Sequence, residues 1–204
     1  MDHAVALVQA YLRINGYFTV SEYPVIVPSA AGGYRTATDL DILAFRFPGA
    51  GRVSLQEGLP GATEAGIPDS ALGIGSDHPD MLIGEVKEGR AELNGAAMDP
   101  VVLRAVLTRF GCCPPNDVAA AVARLQRRGR APLPGGHEVR LAAFGSTLDP
   151  GHGGGRYFRL TLGHVLEFVE AYLNRHWESL RVAESKDPAL GFLLLREKAK
   201  RGKA

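Results

Sequence analysis

The chain is poor in cysteine, in net charge and in long apolar runs. Its 204 residues include two cysteines, and they are neighbours, Cys112 and Cys113. Two thiols cannot build the bridged framework of a small secreted domain or a four-ligand zinc site. We expect a reducing, cytoplasmic setting and two small buried side chains near a helix end; a strained redox pair is the alternative. The formal net charge is +1. Total charge therefore argues neither for nor against a nucleic-acid partner, which depends on where cations cluster. The longest apolar run, residues 189–195, falls far short of the roughly 20 residues needed to span a bilayer, so no membrane partner is expected. Residues 1–3 read Met-Asp-His, without the basic start of a secretory signal. No internal repeat occurs, and no linker separates two apolar halves, so one domain over 1–204 is expected.

What remains is ordinary for a globular chain: 46% hydrophobic and 22% charged residues. Glycine (25) and proline (13) are abundant and clumped. Eleven of them fall within residues 47–79, which reads as an irregular insertion. Shorter breaks lie at 129–136 and 145–155. Between the breaks the hydrophobic period is legible. Residues 3–15 predict a helix, 17–27 and 37–47 two strands joined at Gly32-Gly33, and 80–87 a third strand. Asp99-Pro100 has the cap and first-turn proline of a helix running to Phe110. A further helix is expected over 115–129 with Asn116 as its cap. Strands are expected at 138–144 and 157–162, then a long amphipathic helix over 162–180; residues 187–203 start apolar and end basic. The order is that of an α/β sheet packed with helices.

Two apolar strands carry acids where a strand tolerates them poorly. One reads Thr38-Asp39-Leu40-Asp41-Ile42-Leu43-Ala44-Phe45, the other Met81-Leu82-Ile83-Gly84-Glu85-Val86-Lys87. Strand alternation puts Asp39 and Asp41 on one face, and likewise Glu85 and Lys87. Charges beside such runs are costly unless they pair or bind a metal. Carboxylates with a neighbouring lysine suit a hard cation such as Mg²⁺, or Mn²⁺, and a phosphate substrate. A salt-bridge set on an exposed edge, with Asp39 capping a turn, is the alternative reading.

Asp41 on one strand, followed by Glu85-Val86-Lys87 on the next, resembles the PD-(D/E)xK nuclease superfamily, over about residues 3–145. Asp-Ile-Leu-Ala is similar to the corresponding phrase of Holliday-junction-resolvase-like members. The resemblance implies a restriction-endonuclease-like αβββαβ core with a mixed central sheet, extended here by C-terminal helices over about 162–204. It implies that Asp41, Glu85 and the carbonyl of Val86 hold Mg²⁺, with Asp39 as an auxiliary acid, and that Lys87 helps activate water. The implied partner is DNA. Asp41 follows Leu40 rather than proline, and a literal Pro-Asp pair at Pro68-Asp69 is an alternative; Pro79-Asp80 is too close to Glu85. The first helix offers Asp2, His3 and Gln9 but no glutamate.

Two basic clusters have two readings each. Arg124, Arg127, Arg128 and Arg130 could grip phosphates or complement a helix dipole. The basic tail from Arg196 to Lys203 could be a nucleic-acid arm or a solvated terminus. His164 and His176 are spaced too far apart for a helical metal pair, and His152 sits in a glycine-rich turn. Trp177 and Tyr172 read as a packing face. The expected function is a Mg²⁺-dependent phosphodiester hydrolase acting on DNA. The rivals are a catalytically inactive nuclease-fold module that binds nucleic acid or protein, and a metal-dependent phosphatase. A homodimer is an open alternative.

Overall fold

The computed structural model describes residues 2–51, 68–74, 78–149 and 156–202. Helix α1 (His3–Ile14) starts where the Asp2 side chain accepts from the Ala4 N–H. It is followed by β1 (Tyr17–Pro28) and β2 (Tyr34–Arg46), an antiparallel hairpin. Gly32 and Gly33 close the turn with φ of 88° and 72°, a conformation that favours glycine. Next come β3 (Asp80–Arg90) and α2 (Pro100–Arg109), the latter capped by the Asp99 side chain with Pro100 in its first turn. The chain continues through α3 (Val118–Arg128), β4 (Arg130–Pro132), β5 (Glu138–Thr147) and β6 (Phe158–Thr161). It ends with α4 (Leu162–Arg175), α5 (Trp177–Leu180) and α6 (Pro188–Arg201).

The strands form one mixed sheet in the order β1-β2-β3-β5-β4, with β6 also on β5. β1, β2 and β3 are successive antiparallel neighbours, whereas β3 and β5 are parallel. The parallel step needs a crossover, and α2 and α3 supply it. β5 has one free edge. β4 takes its first half, pairing at 138–140, and β6 its second, pairing at 142–145.

Both faces of the sheet are buried. Met81, Ile83, Leu141 and Leu43 pack under α2 and α3. Leu82, Val86, Phe144 and Ile42 pack under α1, α4 and α6. This double burial explains why β3 and β5 read as near-continuous apolar runs. Gly84 sits opposite Ile42; a Cβ there would come within 2.6 Å of the Ile42 side chain. The glycine thus lets β2 and β3 close up one rung from Asp41 and Glu85.

Four local expectations change. Asn116 is not a cap: it lies within a short 3₁₀ turn (Pro115–Asp117), and α3 begins after it without a side-chain cap. The helix expected over 162–180 breaks at His176, where the ring of Tyr172 lies 4.6 Å from that of His176. The break at 129–136 contains β4, kept to three residues because Pro132 has no N–H to extend the ladder. Gly145 belongs to β5. Of the 47–79 insertion, residues 52–67 and 75–77 lie outside the described residues, as do His152 and Lys203. Cys112 and Cys113 are free and buried against the α2/α3 side of the core. Burial pushes the Cys112 thiol up to about 11, which suits packing rather than redox exchange. Among the described residues no helix is long and apolar enough to cross a membrane.

Candidate active site

The site grows from the β2–β3 ladder. Ile42 pairs with Gly84, so the next rung sets Asp41 opposite Glu85. Alternation from Met81 and Ile83 places Glu85 and Lys87 on the α2/α3 face of β3. Asp41 uses its side chain to hold the neighbouring strand: its Oδ2 accepts from the Val86 backbone N–H at 2.7 Å. Glu85 is 3% exposed. Its Oε2 accepts from Asn94 Nδ2 at 2.7 Å, and Asn94 is itself fixed by accepting the Ala97 N–H at 2.6 Å. The other oxygen, Oε1, is buried and has no hydrogen-bond partner among the described residues. A buried carboxylate with an unmet oxygen is costly unless a ligand meets it.

The charges of the group act on one another. Glu85 is pushed up to about 7, first by burial and then by the Asp41 charge, with Lys87 and the Asn94 bond opposing. Asp41 is also raised, chiefly by burial. The Val86 N–H and Lys87 pull it down, while Asp2 and Glu22 push it up. The charges of Asp41, Glu85 and Lys87 thus act on one another. Their balance is acidic, and a cation would relieve it.

Two contributors were not singled out in the sequence. Asn94 comes from the loop after β3, and no local pattern marks it. Glu22 lies in β1 on the rung between the pairs Ser21–Ile42 and Tyr23–Leu40, opposite Asp41. Its φ is 53°, a region that non-glycine residues occupy at a cost of roughly 1–3 kcal/mol and that clusters at functional sites. The sequence signal was an acid interrupting a β-rich segment.

The remaining candidates lie elsewhere. Asp39 is exposed opposite Pro24. Leu40 and Ile42 pack into opposite clusters, so alternation slips at Asp41 and leaves Asp39 outside the pair. Asp69 accepts from Tyr11 Oη at 2.7 Å, sits 2.6 Å from His164 Nε2, and donates its own N–H to Asn15 Oδ1 at 2.7 Å. Burial would raise its carboxyl, but the bonds from His164, Ala71 and Tyr11 hold it below the usual range. Of these partners Tyr11 and Asn15 lie at the C-terminal end of α1, whereas the Asp2 that acts on Asp41 precedes its first residue. At 1.5 Å per residue, Asp2 and Tyr11 are about 14 Å apart along the axis. Asp80 is held by Arg140 at 2.7 and 2.8 Å and by Tyr17 Oη at 2.6 Å. It is a structural ion pair at the far end of β3. Arg124, Arg127 and Arg128 are exposed on α3, and Arg130 pairs with Glu138. Arg196 and Arg201 of the basic tail pair with Glu170 and Glu197. The Arg201 guanidinium stacks on Trp177 at 4.2 Å.

Among the described residues no group of three or more His, Cys, Asp or Glu side chains is placed to hold a metal ion. The site offers two carboxylates and one lysine. No family model, no curated protein and no solved structure matches this chain. The chemistry therefore rests on the geometry itself.

Proposed function

We propose that the chain is a Mg²⁺-dependent phosphodiester hydrolase acting on DNA, with the restriction-endonuclease-like core of the PD-(D/E)xK nucleases it resembles. One observation carries the reading: Glu85, buried on the rung opposite Asp41 and two residues from Lys87, keeps an oxygen with no partner among the described residues. The order of a helix, three antiparallel strands, helices and a parallel strand supports it.

The donor set fits a hard cation, which takes oxygen ligands and commonly one or two carboxylates, with water and phosphate oxygens completing the shell. Asp41, Glu85 and the Val86 carbonyl would hold Mg²⁺ or Mn²⁺. Such an ion polarises a phosphoryl oxygen and acidifies bound water. The chain's own groups do the rest. Asn94 fixes the Glu85 carboxylate, and the Val86 N–H fixes that of Asp41. Lys87 orients the attacking water or balances charge growing on the phosphate. A water oxygen bonds to phosphorus as the ester P–O bond opposite it breaks, and the departing oxygen leaves protonated.

The test is cleavage of plasmid and branched DNA with Mg²⁺ or Mn²⁺. Lys87→Ala is expected to slow cleavage by roughly a hundredfold or more. Cleavage at the wild-type rate would remove Lys87 from the mechanism. A second reading, a nuclease-fold module that binds without cutting, is favoured by the shortage of a third clustered acid among the described residues. It is selected if the protein retards DNA but its melting temperature ignores both cations.

A further inference from the structure

Glu85, Ala143 and Arg159 occupy one row of the sheet, across β3, β5 and β6. Paired residues of neighbouring strands project to the same face. Tyr157 packs on the α2/α3 side, while Phe158 and Leu160 pack on the opposite side. Arg159 therefore shares the face of Glu85, two strand spacings or about 10 Å away across the sheet. The residue between them is alanine, which puts no bulk in the row.

Arg159 is unusually partnered. Four arginines among the described residues are not exposed: Arg46, Arg140, Arg159 and Arg196. Arg140 pairs with Asp80 and Arg196 with Glu170. Arg46 donates to the carbonyls of Asn15 and Ala50. Among the described residues Arg159 has neither an acid nor a carbonyl. Its Nη2 donates to Tyr157 Oη at 3.2 Å and its guanidinium lies 4.6 Å from the Tyr157 ring centroid; its Nε, like Arg46 Nη1 and Arg196 Nε, is buried without a partner among the described residues. A guanidinium drawn partly out of water and left without an anion is a costly arrangement that an anion would resolve. The same loop steadies both ends of the row: Asn94 holds Glu85, and the Leu93 N–H donates to Tyr157 Oη at 3.4 Å.

We propose that Arg159, braced by Tyr157, binds a backbone phosphate of the strand presented to Asp41, Glu85 and Lys87. The proposal rests on the nuclease reading for its substrate, nucleic-acid phosphodiester. The guanidinium fork matches two oxygens of one phosphate. Its place in the row puts that phosphate to one side of the bond to be cut. Arg159 is a binding residue; it touches no reacting atom.

The test is binding of a short fluorescent DNA duplex by the full chain, in EDTA and again with Ca²⁺, between about 50 and 200 mM salt. Arg159→Ala and Arg159→Gln are expected to weaken binding about tenfold and to lower the salt slope by about one phosphate contact. Arg159→Lys should restore the slope but not the full affinity, because a point charge lacks the fork. Tyr157→Phe should weaken binding less than Arg159→Ala. A purely structural role for Arg159 would leave the slope unchanged, and Arg159→Gln or Arg159→Lys reports the slope if Arg159→Ala does not fold. With Mg²⁺, Arg159→Gln should raise KM and leave kcat nearly unchanged. Wild-type affinity and slope in the folded Ala or Gln variant, or a wild type that does not bind the duplex, overturns the proposal. If those variants bind normally while wild type cleaves, the phosphate site fails and the nuclease reading stands. If they lose a phosphate contact while wild type never cleaves, the nuclease reading fails and the phosphate site stands.

Discussion

The Asp41 carboxylate accepts the Val86 backbone N–H at 2.7 Å, beside the buried carboxylate of Glu85. One oxygen of Asp41 thus does a structural task, and the side chain's charge acts on its neighbour. The two roles separate by substitution. Asp41→Ala leaves the Val86 N–H unmet and should cost about 1–3 kcal/mol of stability. Asp41→Asn keeps an acceptor and should stay near wild type in urea unfolding. Both should lose DNA cleavage, since both remove the charge. A fully active Asp41→Asn would contradict the assignment.

Glu85 gives a pH signature. Its folded value is near 7 against an ordinary 4.5, so the folded state holds the proton more tightly. Below about pH 4.5 both states are protonated and nothing is lost. As pH rises towards 7 the unfolded carboxyl ionises first, and stability should fall by on the order of 3 kcal/mol. Glu85→Gln should therefore match wild type near pH 4 and exceed it in melting temperature at pH 8. Mg²⁺ should raise the wild-type value at pH 8 and leave that of Glu85→Gln unchanged. Equal pH dependence for the two proteins would show that Glu85 is not strained.

Asp69 and Asp41 should behave oppositely. Asp69 joins α1, α4 and the segment at 68–72 through Tyr11, His164, Asn15 and Ala71. Asp69→Ala strands several buried groups and should lower stability by a few kcal/mol. Where folded, it should retain Mn²⁺ binding. Loss of metal binding by a folded Asp69→Ala protein would return the literal Pro-Asp pair to candidacy.

The acidic strands were legible because their alternation is interrupted by charges with no local purpose. Glu85 and Lys87 share a face for the reason that any i, i+2 pair in a strand does. The Asp99-Pro100 start of α2 and the Gly32-Gly33 hairpin were equally local, each fixed by the chemistry of two residues. The same rule misled at Asp39, because alternation slips between Leu40 and Ile42 and only packing against two different helix layers reveals it. Asn94 was invisible for a different reason: it reaches Glu85 from an irregular loop. Arg159 joins the row of Glu85 only through the parallel pairing of β3, β5 and β6, a relation between residues 74 positions apart. Glu22 shows in the sequence only as an acid within a β-rich segment, and its left-handed backbone is visible in the structure alone.

The central claim is that Asp41 and Glu85 share one divalent cation. Calorimetric titration with Mn²⁺ at pH 8, on wild type, Asp41→Asn and Glu85→Gln, tests it most directly. The account predicts a bound ion in wild type and loss of that binding in both folded variants. Undiminished Mn²⁺ binding after either substitution, or no Mn²⁺ binding by wild type, would contradict it.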